Sequence, residues 1–172
     1  METPQHAQDD IDAFAKDLGR EDEMGSVVRA HIRIENLLVE LVEGMVPNPA
    51  QLKRMKLEYD GYVSLALALG LEDERGPALR AMGSLRNRFA HKLDTALDLS
   101  AVKGLYDALA PRDKEQVQAS FGRIRSQHDA VKVAKNYAAL SPKDQFQLIA
   151  LIVWLSLKSK VLVMRGEARA GA

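Results

Sequence analysis

The chain has 172 residues, which suits one domain of ordinary size. Apolar residues make up 47% of it and aromatic residues only 5%, a composition that favours helices over sheets. The 24 basic and 24 acidic side chains cancel, which excludes the basic excess of many nucleic-acid-binding proteins but leaves a basic face possible. The absence of cysteine excludes disulfides and cysteine-ligated zinc, and we expect a cytoplasmic protein.

The N-terminal part of the chain predicts a tail and two helices. We expect residues 1–8 to be a disordered tail without a secretory signal, because no apolar run follows a basic start. Asp9 or Asp10 then caps a short helix that ends at Gly19. A longer helix follows over roughly residues 22–43, where apolar side chains repeat with helical spacing.

Two polar residues, His31 and Glu35, fall inside the apolar face of this second helix. They are four residues apart, so their side chains can pair on the helix surface. One interpretation is that they lie at the margin of the face and satisfy each other. The other is that Glu35 orients Arg86 or His91 on a neighbouring helix.

Three further segments lead to the centre of the chain. Asn48 and Pro49 are a favourable cap and first residue for a helix. Residues 57–69 alternate Leu and Ala in part, but Ala is a poor strand former and we predict a buried helix. After an acidic segment, a central helix is predicted from about Pro77 to Lys92.

The C-terminal half predicts several more helices. We expect short helices over residues 101–109 and 111–125, and a helical piece over 131–137. Ser141 caps a long helix that reaches about residue 165, and residues 166–172 form a polar tail.

The helix predicted after Ser141 contains the longest apolar run, residues 146–157, which is apolar nearly all round. Spanning a bilayer takes roughly 20 residues, so we expect no membrane span. A helix of this kind lies at the centre of a bundle or is shared with a second subunit. We therefore predict an all-α protein, a single bundle of about seven to eight helices over residues 9–165, with Trp154 mostly buried.

The central helix carries the segment whose polar residues suggest recognition or chemistry, Ser84 to His91. At roughly 100° per residue, Leu85 and Phe89 lie on an apolar stripe. Asn87 and His91 lie together on the opposite, polar face. Arg86 lies with Gly83 and Ala90 along an edge where a neighbouring element can approach closely.

This segment resembles two known families. Arg86 and His91, with polar Asn87 directly after the arginine, resemble the Arg-x4-6-His motif of HEPN domains, helical bundles of which many are metal-independent endoribonucleases. The string from Leu85 to His91, together with residues 34–38, is more similar to the mannitol operon repressor family. That resemblance implies an all-helical protein over roughly residues 20–165 that takes part in transcriptional repression.

Common catalytic and binding constellations are absent from the sequence. No glycine-rich loop is placed to hold a nucleotide, and the four histidines lack metal-ligand spacing, so we predict no cofactor and no metal. No helix pair reads as a helix-turn-helix with a basic second helix. We therefore expect any binding to duplex DNA by the isolated protein to be weak and non-specific.

The Arg86 and His91 pair carries any catalytic hypothesis. An imidazole can activate a ribose hydroxyl, and a guanidinium can stabilise charge on phosphorus. Five residues correspond to roughly 140° around a helix, however, so the two side chains do not project together. We favour a structural or interface role, in which a partly desolvated Arg86 pairs with Glu35 and Arg86→Ala costs ~3–5 kcal/mol. Recognition of a ligand or partner and catalysis remain as alternatives.

Two functions of different class follow. The first is a transcription-regulatory protein, expected to be a homodimer, which acts through a protein partner or a small effector and does not read DNA itself. Its candidate binding residues are Arg86, Asn87, His91 and Glu35. The alternative is a HEPN-type ribonuclease that uses Arg86 and His91. An open cleft with a basic rim favours the nuclease, whereas a closed His91 without such a rim favours the regulator.

Overall fold

A computed structural model describes residues 4–91, 96–127 and 134–170 of the chain. These residues form an all-α bundle without strands, which confirms the predicted fold class. The described ranges contain eight α-helices: α1 Pro4–Arg20, α2 Glu23–Met45, α3 Leu52–Met55, α4 Tyr59–Ala68, α5 Gly76–His91, α6 Leu99–Asp107, α7 Pro111–Gln127 and α8 Pro142–Ala170.

Helix boundaries differ from the sequence expectation at several places. α1 begins at Pro4, so residues 4–8 are helical and not part of a disordered tail. The Asn48 side chain makes no capping hydrogen bond, and a short 3-10 turn precedes α3. The predicted piece over 131–137 corresponds only to a 3-10 turn at Tyr137–Ala139, and residues 131–133 lie outside the described residues, as does Lys92. The 166–172 polar tail continues α8 as far as Ala170.

Two helix starts follow from local capping chemistry. The Asp22 carboxylate accepts a hydrogen bond of 2.7 Å from the Gly25 amide and begins α2. At α8 the Ser141 hydroxyl donates to Asp144 at 2.7 Å, and the Asp144 amide donates back to Ser141 at 3.1 Å. This is the reciprocal bonding of a capping box, as its sequence predicts.

α8 lies at the centre of the bundle, packed against α1, α2, α6 and α7. Trp154 on this helix is only 6% exposed, and its ring lies 5.0 Å from that of Phe14. Both expectations, a central last helix and a buried tryptophan, are confirmed. Because α2 and α8 share the most extensive contact, together they form the axis on which the other helices pack.

α8 is longer than its apolar run, and this changes the argument about a membrane. Residues Pro142–Gly166 form a stretch of 25 residues that is long and apolar enough to cross a bilayer. The expectation of no membrane span rested on the length of the apolar run, residues 146–157. The longer stretch found here means that length does not exclude a span. In this structure 44% of the most apolar window is buried inside the protein.

Candidate functional site

α2, α4 and α5 pack on one another and enclose a pocket of about 640 Å³, here called the α2–α4–α5 pocket. The four residues that the sequence singles out, Glu35, Arg86, Asn87 and His91, all line it. The fold therefore brings these side chains to one place, although Glu35 comes from α2 and the other three come from α5.

The orientation of α5 explains why its polar residues face this pocket. Leu85 and Phe89 are buried in the core, while Arg86, Asn87 and His91 are exposed. An amphipathic helix takes this orientation because its apolar stripe must be buried. Arg86 and His91 line the same pocket despite their angular separation, since the pocket is wide and open to solvent.

The environment of the Arg86 side chain differs from the one predicted for a structural role. It is exposed, and its Nη1 donates a hydrogen bond of 3.0 Å to Oδ1 of its neighbour Asn87. Among the described residues no ion pair joins Arg86 to Glu35. The loss of stability expected for Arg86→Ala assumed a buried ion pair between Arg86 and Glu35. The observed geometry lacks this pair and does not support that loss. His91 is likewise exposed rather than closed by surrounding groups.

Glu35 instead lies beside His31, with 3.7 Å between Glu35 Oε2 and His31 Nδ1. This agrees with the interpretation in which the two residues lie at the margin of the apolar face of α2. His31 is 5% exposed, and burial lowers the pKa of its imidazole to about 4, with the nearby charge of Arg86 as a second cause. At neutral pH the pocket therefore contains an uncharged imidazole next to a guanidinium.

Tyr59 completes the wall beside His31. The two ring centroids are 4.4 Å apart, and the Tyr59 hydroxyl donates to the carbonyl of Leu79 at 2.9 Å. Burial raises the pKa of Tyr59, and the negative charges of Glu35 and Asp60 raise it further. The phenol therefore stays protonated and serves to fix α4 against α5.

Gly83 permits this close contact between α4 and α5. A Cβ atom added at Gly83 would lie 2.8 Å from Cδ1 of Tyr59, closer than carbon atoms normally approach. The sequence placed Gly83 on the edge of small residues, and the structure shows that a tyrosine ring occupies the space left there.

The rim of the pocket carries both signs of charge. Arg80 Nε is 3.0 Å from Asp60 Oδ1, and Arg80 also donates to Ser64 at 3.1 Å. Glu58 and Glu35 add two more carboxylates to the lining. The site is thus an open cleft without a basic rim, a combination that neither functional hypothesis predicted. Tyr59, Asp60 and Arg80 were not identified from sequence, because nothing local marks them as partners.

A second charged cluster lies at the far side of α5, between α7 and α8. Arg75 is mostly buried, and it bonds Glu72 at 3.0 Å and Asp113 at 3.1 Å, and also the Ser156 hydroxyl. Asp113 lies in the first turn of α7, where an acidic side chain is favourable. Burial raises the pKa of this carboxyl group, while Arg75 acts in the opposite direction.

No group of three or more His, Asp or Glu side chains that could hold a metal occurs within residues 4–91, 96–127 and 134–170. Comparison with family models, with curated proteins and with solved structures gave no match.

Proposed function

We propose that this protein is a regulatory protein that binds a small polar effector in the α2–α4–α5 pocket. The observation that carries the proposal is the pocket itself, about 640 Å³ in volume and lined by Arg86, Asn87, His91 and Glu35. Its volume lies within the range of small-molecule sites, and convergent polar groups in a cleft are the usual marks of a binding site.

The charge of the rim argues for a small effector and against a nucleic acid. Glu35, Glu58 and Asp60 offset Arg80 and Arg86, and the whole chain carries no net charge. Proteins that hold nucleic acid depend on basic contacts to phosphates, which carboxylates at the same place oppose. We therefore propose that the protein does not bind DNA by itself.

The biological process is suggested by the segment from Leu85 to His91, which resembles the mannitol operon repressor family. We propose that the protein represses transcription through a protein partner and acts as a homodimer. Effector binding in the pocket would then change the affinity for the partner. A ligand that stabilises one conformation of the protein raises its affinity for a partner that binds the same conformation.

A ribonuclease is the second candidate, and one observation favours it. Arg86 and His91 are both exposed and line the same open pocket, as a general base and a phosphate-stabilising cation would have to. Buried His31 is a further neutral imidazole in the lining, but its low exposure suits it less for proton transfer to a bulky substrate.

One set of experiments distinguishes the regulatory protein from the ribonuclease. A strain that lacks the protein is complemented with wild type, Arg86→Gln or the matched control Arg54→Gln, which changes an exposed arginine outside the pocket. The regulator predicts that wild type and Arg54→Gln restore the transcript profile and Arg86→Gln does not, while purified wild type leaves RNA intact. RNA cleavage that is lost in both Arg86→Gln and His91→Ala would establish the enzyme instead.

A further inference from the structure

His31 is a buried imidazole without a hydrogen-bond partner in the described part of the chain. It is 95% buried, yet it lines the α2–α4–α5 pocket. Its closest polar neighbour, Glu35 Oε2, is 3.7 Å from Nδ1, which is too long for a hydrogen bond. The His31 nitrogens are not sealed in the core, so the neutral imidazole offers one N–H donor and one acceptor nitrogen to the pocket. A group in this state on a pocket wall is suited to bind a ligand.

Arg86 supplies to the same pocket a guanidinium that makes no ion pair among the described residues. Its one hydrogen bond within the described ranges goes to the neutral amide of Asn87. Arg80, by contrast, is paired with Asp60 on the rim, and its charge is offset. An exposed guanidinium with unused N–H donors is the side chain best suited to bind a carboxylate or a phosphate through bidentate hydrogen bonds.

Two carboxylates, Glu35 and Glu58, also line the pocket. Glu35 lies beside the uncharged His31, and among the residues described neither Glu35 nor Glu58 forms an ion pair with Arg86. Such carboxylates accept hydrogen bonds and repel a second anion. A purely anionic ligand would therefore meet repulsion here, whereas a ligand with hydroxyl or ammonium donors at its other end would be bound.

We propose that the pocket binds a small molecule with an anionic group at one end and hydrogen-bond donors at the other. The anion binds the Arg86 guanidinium, and the imidazole of His31, which lies beside Glu35, bonds to the donor end. The donor end, which carries hydroxyl groups or an ammonium group, faces Glu35 and Glu58. This inference rests on the proposed function and specifies the chemical class of its effector.

Four probes of similar chain length test this assignment by titration calorimetry at pH 7.5. D-gluconate carries a carboxylate and hydroxyl donors, and 6-aminohexanoate carries a carboxylate and an ammonium group. Hexanoate lacks the donors and sorbitol lacks the anion. We expect gluconate or 6-aminohexanoate to bind at least tenfold more tightly than both hexanoate and sorbitol, and the better of the two identifies the donor.

Variants then locate the site. Arg86 is exposed, so Arg86→Gln is expected to leave the midpoint of urea unfolding unchanged and to weaken binding of the probe at least tenfold. Arg54→Gln is the matched control and should bind as wild type does. The ring signals of His31 in the wild-type protein are followed by NMR, and they should shift on binding.

Three results would overturn the proposal: no binding of either donor-bearing anion, equal binding of hexanoate or sorbitol, or unchanged affinity in Arg86→Gln. The regulatory function is judged separately by the transcript profile of the Arg86→Gln strain. If that profile is altered while none of the four probes binds, the ligand class is wrong and the proposed function stands.

Discussion

At the scale of single residues, His31 is uncharged at neutral pH because it is buried beside the Tyr59 ring of α4. Burial lowers the pKa of its imidazole to about 4 from an ordinary value of 6.5, and Arg86 contributes to the same effect. Protonation in the folded protein would place a second cation beside Arg86, on an imidazole that packs against the Tyr59 ring. The neighbouring Glu35 is too distant for a hydrogen bond and does not reverse this effect.

This predicts how stability depends on pH. The unfolded chain binds a proton at His31 below pH 6.5, but the folded protein binds it only near pH 4, so acid favours unfolding. The contribution of His31 is unchanged above pH 6.5 and falls by about 3 kcal/mol between pH 6.5 and 4. Urea unfolding at steps between pH 8 and 4.5 measures the effect.

The control for this experiment is His31→Gln, which keeps a polar side chain of similar reach without a titrating ring. The carboxylates near the pocket titrate in both proteins, so the difference between the two pH profiles isolates His31. We expect the variant to lose less stability than wild type as the pH falls from 6.5 to 4.5. Parallel profiles would show that His31 is not buried in its neutral form.

At the scale of the helix, Gly83 sets the distance between α5 and α4. The Tyr59 ring fills the space that a side chain at Gly83 would need, and the Tyr59 hydroxyl bonds to the backbone of α5 at Leu79. The same contact positions His31, whose ring packs on Tyr59. The positions of Tyr59 and His31 in the pocket wall thus depend on the absence of a Cβ atom at residue 83.

Gly83→Ala is expected to destabilise the protein by about 1–3 kcal/mol, because the Tyr59 ring must move to admit the methyl group. Gly104→Ala in α6 is the matched control, since nothing lies within 4 Å of its added Cβ. There the gain in helix propensity of up to about 1 kcal/mol should stabilise the protein. Thermal unfolding of both variants provides the comparison, and an equal effect at the two sites would contradict the close contact.

At the scale of the whole molecule, the Arg75 cluster joins parts of the chain that local structure does not connect. Arg75 precedes α5, Asp113 lies in the first turn of α7 and Ser156 lies in α8. The side chains of Arg75 and Asp113 are only 11% and 7% exposed, so their pairing occurs largely out of water. Breaking such a pair costs more than the pair itself contributes, because it leaves a buried charge.

Arg75→Met should therefore destabilise the protein by about 3–5 kcal/mol, because it leaves the Asp113 carboxylate without its cation. Arg75→Met combined with Asp113→Asn removes both charges and should recover a substantial part of this loss. Urea unfolding of the single and double variants gives the coupling energy. A double variant no more stable than Arg75→Met alone would mean that the two groups do not act as a pair.

The sequence by itself determined the elements of this protein. Apolar residues at helical spacing, together with caps such as Ser141, specified an all-α bundle with a central last helix. The same periodicity placed Asn87 and His91 on an exposed face and Leu85 and Phe89 in the core. These features depend on residues within one or two helical turns, so a linear pattern is sufficient to predict them.

Only the tertiary structure decided which side chains meet. Arg80 and Asp60 are 20 residues apart, and Arg75 and Asp113 are 38 apart, so no local spacing marks either pair. Arg86 was expected beside Glu35, but the packing of α5 on α2 leaves it exposed and bonded to Asn87. The physical reason is that an apolar stripe decides which face of a helix is buried, whereas the contacts of a long polar side chain depend on helix distance and crossing angle.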